Sequence, residues 1–187
     1  TGSIVGFLYN NSNMINCGNN ADINCPNNKE VGGLIGTTNL SSNVYNCYNS
    51  GNIIAGQEAI GGIVGNFMNG KIISCYNTGN LTCIRGGGIT GCNLNNSYME
   101  NCYNIGILNV EFYEYAAITS RTVTQENVFK NNFYLENIVN NKNDSHVIEG
   151  IEAKDETSIK KSILLLGTNY KEDVENINNG YPILNWQ

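Results

Sequence analysis

The chain has 187 residues, long enough for one domain with a real core or for a repeat array with a terminal segment, and too long to need a disulfide framework in place of a core. Charged residues make up only 14% against about a quarter in an ordinary soluble domain, and 36 asparagines supply polarity without charge. The net charge of −6 and the lack of any Lys or Arg cluster exclude nucleic acid and anionic lipid as expected partners. No apolar run approaches the roughly 20 residues of a membrane span, the longest being residues 163–166.

Read from Thr1, the chain repeats itself. The phrase GSIVG at Gly2 returns as GGLIG at Gly32, GGIVG at Gly61 and GGITG at Gly87, at spacings of 30, 29 and 26 residues. A second phrase follows each: NCGN at Asn16, NCYN at Asn46, SCYN at Ser74 and NCYN at Asn101. A worn fifth copy, AAITS, begins at Ala116. Each unit holds three β-prone runs, such as 34–38, 43–48 and 52–55, separated by Gly and Asn corners. None can bury its apolar side alone. Stacked at the strand spacing of about 4.8 Å, the units bring like residues together in columns. Ile4, Leu34, Ile63 and Ile89 form one column, Met14, Val44, Ile72 and Met99 another, and Ile23, Ile53, Leu81 and Leu108 a third. The expected fold is all-β: a right-handed parallel β-helix of four to five coils over residues 1–130, one inward row to each of three walls. Its hand follows the crossover preference of parallel strands.

Asn19, Asn49, Asn77 and Asn104 align without exception, with Gly51, Gly79 and Gly106 two residues later. This pattern reads as a corner in which asparagine takes the left-handed conformation and its amides bond up the stack; a ligand-binding asparagine row is the functional alternative. Tyr48, Tyr76 and Tyr103 form the adjacent column. Facing outward, they would make an aromatic ribbon that binds glycan or protein; facing inward, they would be packing.

Cys17, Cys47, Cys75 and Cys102 also follow the repeat, and Cys25 and Cys83 each lie eight residues after a member of that column. A buried ladder of small apolar residues accounts for them, and the strand spacing exceeds the Cβ separation a disulfide prefers, so free thiols are expected. Cys92 fits no column. There is no C-x-x-C zinc knuckle, and the single histidine, His146 in the tail, has no H-E-x-x-H partner, so no metal and no cofactor are expected. The same lone histidine leaves serine or cysteine nucleophile schemes without support. The enzymatic rival is a polysaccharide-cleaving β-helix, which works with paired carboxylates. Up to Val110 the repeats carry only Asp22, Glu30, Glu58 and Glu100, none in a shared column, and the chain is read as non-catalytic.

Residues 131–187 form the tail. Residues 155–166 read as one short helix with Thr157 and Ser158 as N-caps and Gly167 as its stop. A final extended piece over 181–186 completes a segment expected to close the open end of the tube. Beginning at Thr1 without Met or leader, the sequence is expected to be a piece of something larger, monomeric as it stands.

The phrase G-[LI]-[IV]-G with the following NCYNTGN resembles the GLUG-motif repeats over residues 2–109. The tail, NNFYLE and NGYPILNWQ, resembles the closing segment of such repeats in clostridial-type surface proteins. The resemblance implies a module of large bacterial secreted or cell-surface proteins, among them adhesin-like proteins and immunoglobulin-A-cleaving zinc peptidases, where the repeats lie outside the catalytic domain. It implies a spacer, stalk or adhesion role, extracellular, Gram-positive in the clostridial comparison, with a host glycan or extracellular protein as the partner of an adhesive version. It transfers no functional residue.

Overall fold

A computed structural model describes residues 1–111, 117–120, 126–139 and 148–187. Short β-strands dominate it, nearly all parallel, wound as a β-solenoid of about four turns with a helical tail. Ala116 and His146 lie outside the described residues.

Four parallel sheets line the tube where three walls were expected. The longest runs through Val5–Leu8, Ile35–Thr38, Val64–Ile73, Thr90–Glu100 and Val128–Lys130, joined by Asn13–Ile15 and Asn43–Tyr45. A second pairs Val31–Gly32, Ile60–Gly61 and Gly86–Gly87. It comes from the residues just before and at the glycine pair, where Val31 and Ile60 favour strand and the glycines do not, so the coils above and below hold the glycines extended. The third stacks Gly18–Asn19, Tyr48–Asn49, Tyr76–Asn77, Tyr103–Asn104, Asn132–Leu135 and Ile151–Lys154. The fourth stacks Ile23–Cys25, Ile53–Ala55, Leu81–Cys83 and Leu108–Val110.

The expected columns meet in register. Met14 pairs with Val44, Val44 with Ile72 and Ile72 with Met99, and the column continues to Phe129. Ile23, Ile53, Leu81 and Leu108 do the same. The Leu34, Ile63 and Ile89 column is fully buried and reaches Ile118, whose carbonyl accepts from the Ile89 and Thr90 amides; Ile118 belongs to the worn fifth copy. Ile4, on the outermost coil, is exposed, because no coil described here covers it.

Parallel pairing continues past residue 130. Asn132–Leu135 pairs with Tyr103–Asn104, and Ile151–Lys154 pairs with Asn132–Leu135, both parallel. The phrase NNFY at Asn131 is therefore a fifth copy of NCYN in which Asn132 stands in the cysteine column. Asn132 compensates for the polar exchange by accepting from the Cys102 amide and donating to the Met99 and Gly150 carbonyls.

The tail departs from expectation in two further ways. In place of one helix there are two single turns, α1 at Glu156–Lys160 and α2 at Ile163–Leu166. The N-cap of α1 is Asp155 and not Thr157 or Ser158, since its carboxylate accepts both the Ser158 amide and hydroxyl. The tail then runs back along a side wall, through an antiparallel pair of Tyr170–Lys171 with Ile183–Leu184, as far as Asn46 and Tyr48. From α1 onward its contacts are with that wall, while Ile148 and Ile151 pack against the core of the tube.

Candidate functional site: the tyrosine wall

The corner that precedes the wall sets its geometry. At this corner each coil has a left-handed residue just before the cysteine column: Asn16, Asn46, Ser74, Asn101 and Asn131, with φ between 50 and 56°. Asn19, Asn49, Asn77 and Asn104, expected to take that conformation, do not; they turn their amides inward. There Asn19 Nδ2 donates to Asn49 Oδ1, Asn49 to Asn77 and Asn77 to Asn104, each at 2.8 Å. The same amide nitrogens donate to the carbonyls of Ala21, Gly51 and Gly79, which closes the turn. Buried amides carry a large desolvation cost unless bonded, and this ladder bonds them at both ends.

That ladder explains the paired glycines. Gly33, Gly62 and Gly88 lie directly against the Asn49, Asn77 and Asn104 side chains, and a Cβ on any of them would overlap the amide. Likewise a Cβ on Gly79 would overlap the Gly51 carbonyl of the neighbouring coil. These glycines serve close approach, and no left-handed conformation is involved.

Between the corner and the ladder stand Cys17, Cys47, Cys75 and Cys102, whose thiols approach the carbonyl two residues back, for example Cys47 Sγ to Tyr45 O at 3.1 Å. None of the seven cysteines is in a disulfide. Contact with the Cys75 thiol and burial push Cys47 well above the usual thiol range, and burial does the same to Cys75. Cys83 is pushed up to about 12 by burial and by Glu111. Protonated thiols are poor nucleophiles and poor metal ligands, and Cys47, Cys75 and Cys102 are buried in the core as packing. Cys92, which fitted no column, stands on the long sheet beside Asn66.

Tyr48, Tyr76 and Tyr103 point away from the tube and stack face to face, ring centroids 5.3 and 5.0 Å apart, tilted by 15° and 4°. Phe133 continues the column. The column is an outer ribbon, as one of the two readings had it, but the chain's own tail covers it. Tyr76 is 2% and Tyr103 0% exposed, and Ile159, Leu166, Tyr170, Tyr181 and Leu184 close over them as a second core. Tyr103 donates to the Pro182 carbonyl and accepts from Asn178 Nδ2, while Tyr76 donates to Gln187 Oε1 at 2.9 Å. The Tyr170 hydroxyl donates to the Asn101 carbonyl, and Trp186 Nε1 to that of Asn46. Only Tyr48, half-buried beside Trp186, reaches the rim. Burial raises all three interior phenols, Tyr76, Tyr103 and Tyr170, so they are uncharged hydrogen-bonding groups.

The tail partners went unseen in the sequence reading. Their one signal was the apolar run Tyr181, Pro182, Ile183, Leu184 and Trp186 at the end of the tail.

The four acids of the repeats are each engaged apart. Asp22 accepts from the Asn52 amide, Glu30 from Thr37 and Asn66, and Glu100 from the Tyr98 hydroxyl, while Glu58 pairs with Arg85 at 3.2 Å. Among the described residues no three His, Cys, Asp or Glu side chains converge as a metal site.

Residues 56–82 match the GLUG motif. That stretch is one full turn: the strand pair at Ile60–Gly61, the long strand Val64–Ile73, the corner at Ser74, the Tyr76–Asn77 step and Leu81–Cys83. The other coils repeat that turn in register, and together they stack as a β-solenoid. No curated protein and no solved structure matches the chain.

Proposed function

We propose that this GLUG repeat module is a spacer or stalk within a secreted or cell-surface bacterial protein, without a catalytic role of its own. One observation carries the reading: the repeated side chains are spent on the next coil, and the tyrosine wall is closed by the chain's own tail. A module built this way offers length and stiffness, since each coil adds about 4.8 Å and rests only on its neighbours.

Adhesion to a host glycan or extracellular protein through Tyr48, Tyr76 and Tyr103 is the competing role, and it requires the tail to lift. The discriminating experiment is an array of glycans and extracellular-matrix proteins probed with the intact chain and with Tyr48→Ala, matched for folding by circular dichroism. A spacer gives no specific signal with either protein. Specific binding by the intact chain that disappears in Tyr48→Ala would overturn the spacer reading in favour of adhesion at the tyrosine wall.

A further inference from the structure

The outer side of the tail carries an apolar surface that neither the tube nor the tyrosine wall uses. Leu164 is 95% and Val174 86% exposed, and Leu165 and Ile177 are exposed beside them. The display is built. In α2, Ile163 and Leu166 face the tyrosine wall, which turns Leu164 outward. Val174 and Ile177 sit on a loop held by one carboxylate: Asp173 Oδ1 accepts from the Ile177 amide at 2.8 Å, and Oδ2 from the Asn178 and Gly180 amides at 2.7 and 2.9 Å. A loop so fixed has lost its conformational freedom before any partner arrives, which lowers the entropy cost of docking.

Between helix and loop lies a groove of about 610 Å³ with Lys161 and Leu164 on one side and Glu172 and Val174 on the other. One rim is therefore basic and the other acidic, with apolar side chains between. A two-fold axis through a groove of this kind sets each basic rim against the other copy's acidic rim and each Leu164 against the other copy's Val174. Such self-complementarity is the signature of an isologous contact.

We propose that this face pairs with the same face of a second copy of the chain, joining two solenoids through their tails. The proposal does not rest on the spacer reading, and it departs from the monomer expected from the sequence. Four apolar side chains per copy place the contact among small interfaces, below about 1,200 Å² in total, so the dimer is weak and its population depends on concentration.

Sedimentation velocity of the intact chain, from low micromolar to near-millimolar, tests it. The expected result is a concentration-dependent rise to the dimer mass. Leu164→Glu, which touches only solvent in the single chain, abolishes that rise with circular dichroism and melting temperature unchanged. Lys161→Glu weakens association at least ten-fold, and adding Glu172→Lys to it restores the wild-type curve. A wild type that stays monomeric throughout would overturn the proposal, as would a dimer that survives Leu164→Glu or a charge swap that fails to restore. Co-flotation of a monomeric wild type with phospholipid vesicles would also overturn it and assign the patch to a lipid surface.

Discussion

Asn77 and Asn52 are both ladder asparagines, yet their surroundings set very different values on them. Asn77 is fully buried, donates to Asn104 and to the Gly79 carbonyl, and accepts from Asn49. Asn52 belongs to an exposed ladder in which Asp22 accepts from the Asn52 amide and Asn52 Oδ1 from the Asn80 amide, within reach of water. Removing a side chain whose partners stay buried costs the desolvation of those partners, whereas water replaces a bond lost at the surface. Asn77→Ala is therefore expected to lower unfolding free energy by about 2–4 kcal/mol, and Asn52→Ala by less than about 1 kcal/mol, in urea titrations. Equal losses from the two would contradict the inward ladder. In the sequence both asparagines recur at the repeat spacing, the Asn77 column without exception and the Asn52 column with Asp22 and Ile107 at its ends. What separates them is the left-handed residue at Asn46 and Ser74, three places before Asn49 and Asn77, which turns one column in and leaves the other out.

At the scale of elements, the tail is tied to the wall at few points, and Tyr103 is the most buried of them. Its hydroxyl serves both the Pro182 carbonyl and Asn178 Nδ2. Tyr103→Phe keeps the ring stack with Tyr76 and strands those two groups, a loss of about 1–3 kcal/mol borne by the tail and not by the coils. The chain's one tryptophan, Trp186, lies in the tail beside Tyr48, so its emission follows docking while far-ultraviolet circular dichroism follows the coils. In Tyr103→Phe the tryptophan transition is expected at lower urea than the circular dichroism transition. Two coincident transitions at the wild-type midpoint would show that the hydroxyl does not hold the tail. The helical turns themselves were legible from Gly167 and the apolar spacing, but their placement was not. Ile159 and Leu166 would mark the inner face of a helix packed on anything.

For the whole molecule, the buried phenols and thiols couple folding to alkaline pH. Tyr76, Tyr103, Tyr170, Cys47 and Cys75 all have their folded-state pKa raised, chiefly by burial except at Cys47, where the neighbouring thiol comes first. A raised folded value means the native chain holds these protons while the unfolded chain releases them. The stability is thus fully present below the ordinary thiol value of 9.0 and drains as pH climbs through the ordinary tyrosine value of 10.0 toward the folded values. Melting temperature is expected to hold steady up to about pH 9 and to fall steeply above about pH 10, with the share of tyrosinate absorbance that belongs to Tyr76, Tyr103 and Tyr170 rising only as the chain unfolds. A melting temperature that stays level to about pH 12 would refute the linkage.

The solenoid was legible because stacking imposes one rule at every step: a residue sits on the residue one turn earlier, so spatial neighbours become a period in the text. Ile53, Leu81 and Leu108, or Cys47, Cys75 and Cys102, could be placed together from spacing alone. NNFY at Asn131 obeyed the same rule and was missed where the cysteine gave way to Asn132. The fate of the tyrosines had no such signature. Tyr103 meets Asn178 and Pro182 across 75 and 79 residues, and Trp186 meets Asn46 across 140, each once and with no repeat to announce it. By itself the sequence determined the parallel stack and its columns, since those follow from backbone spacing and like packing on like. The tertiary structure alone decided that the aromatic ribbon would be a covered seam, because Ile159, Leu166, Tyr170, Tyr181 and Leu184 of the tail leave water by packing on that wall.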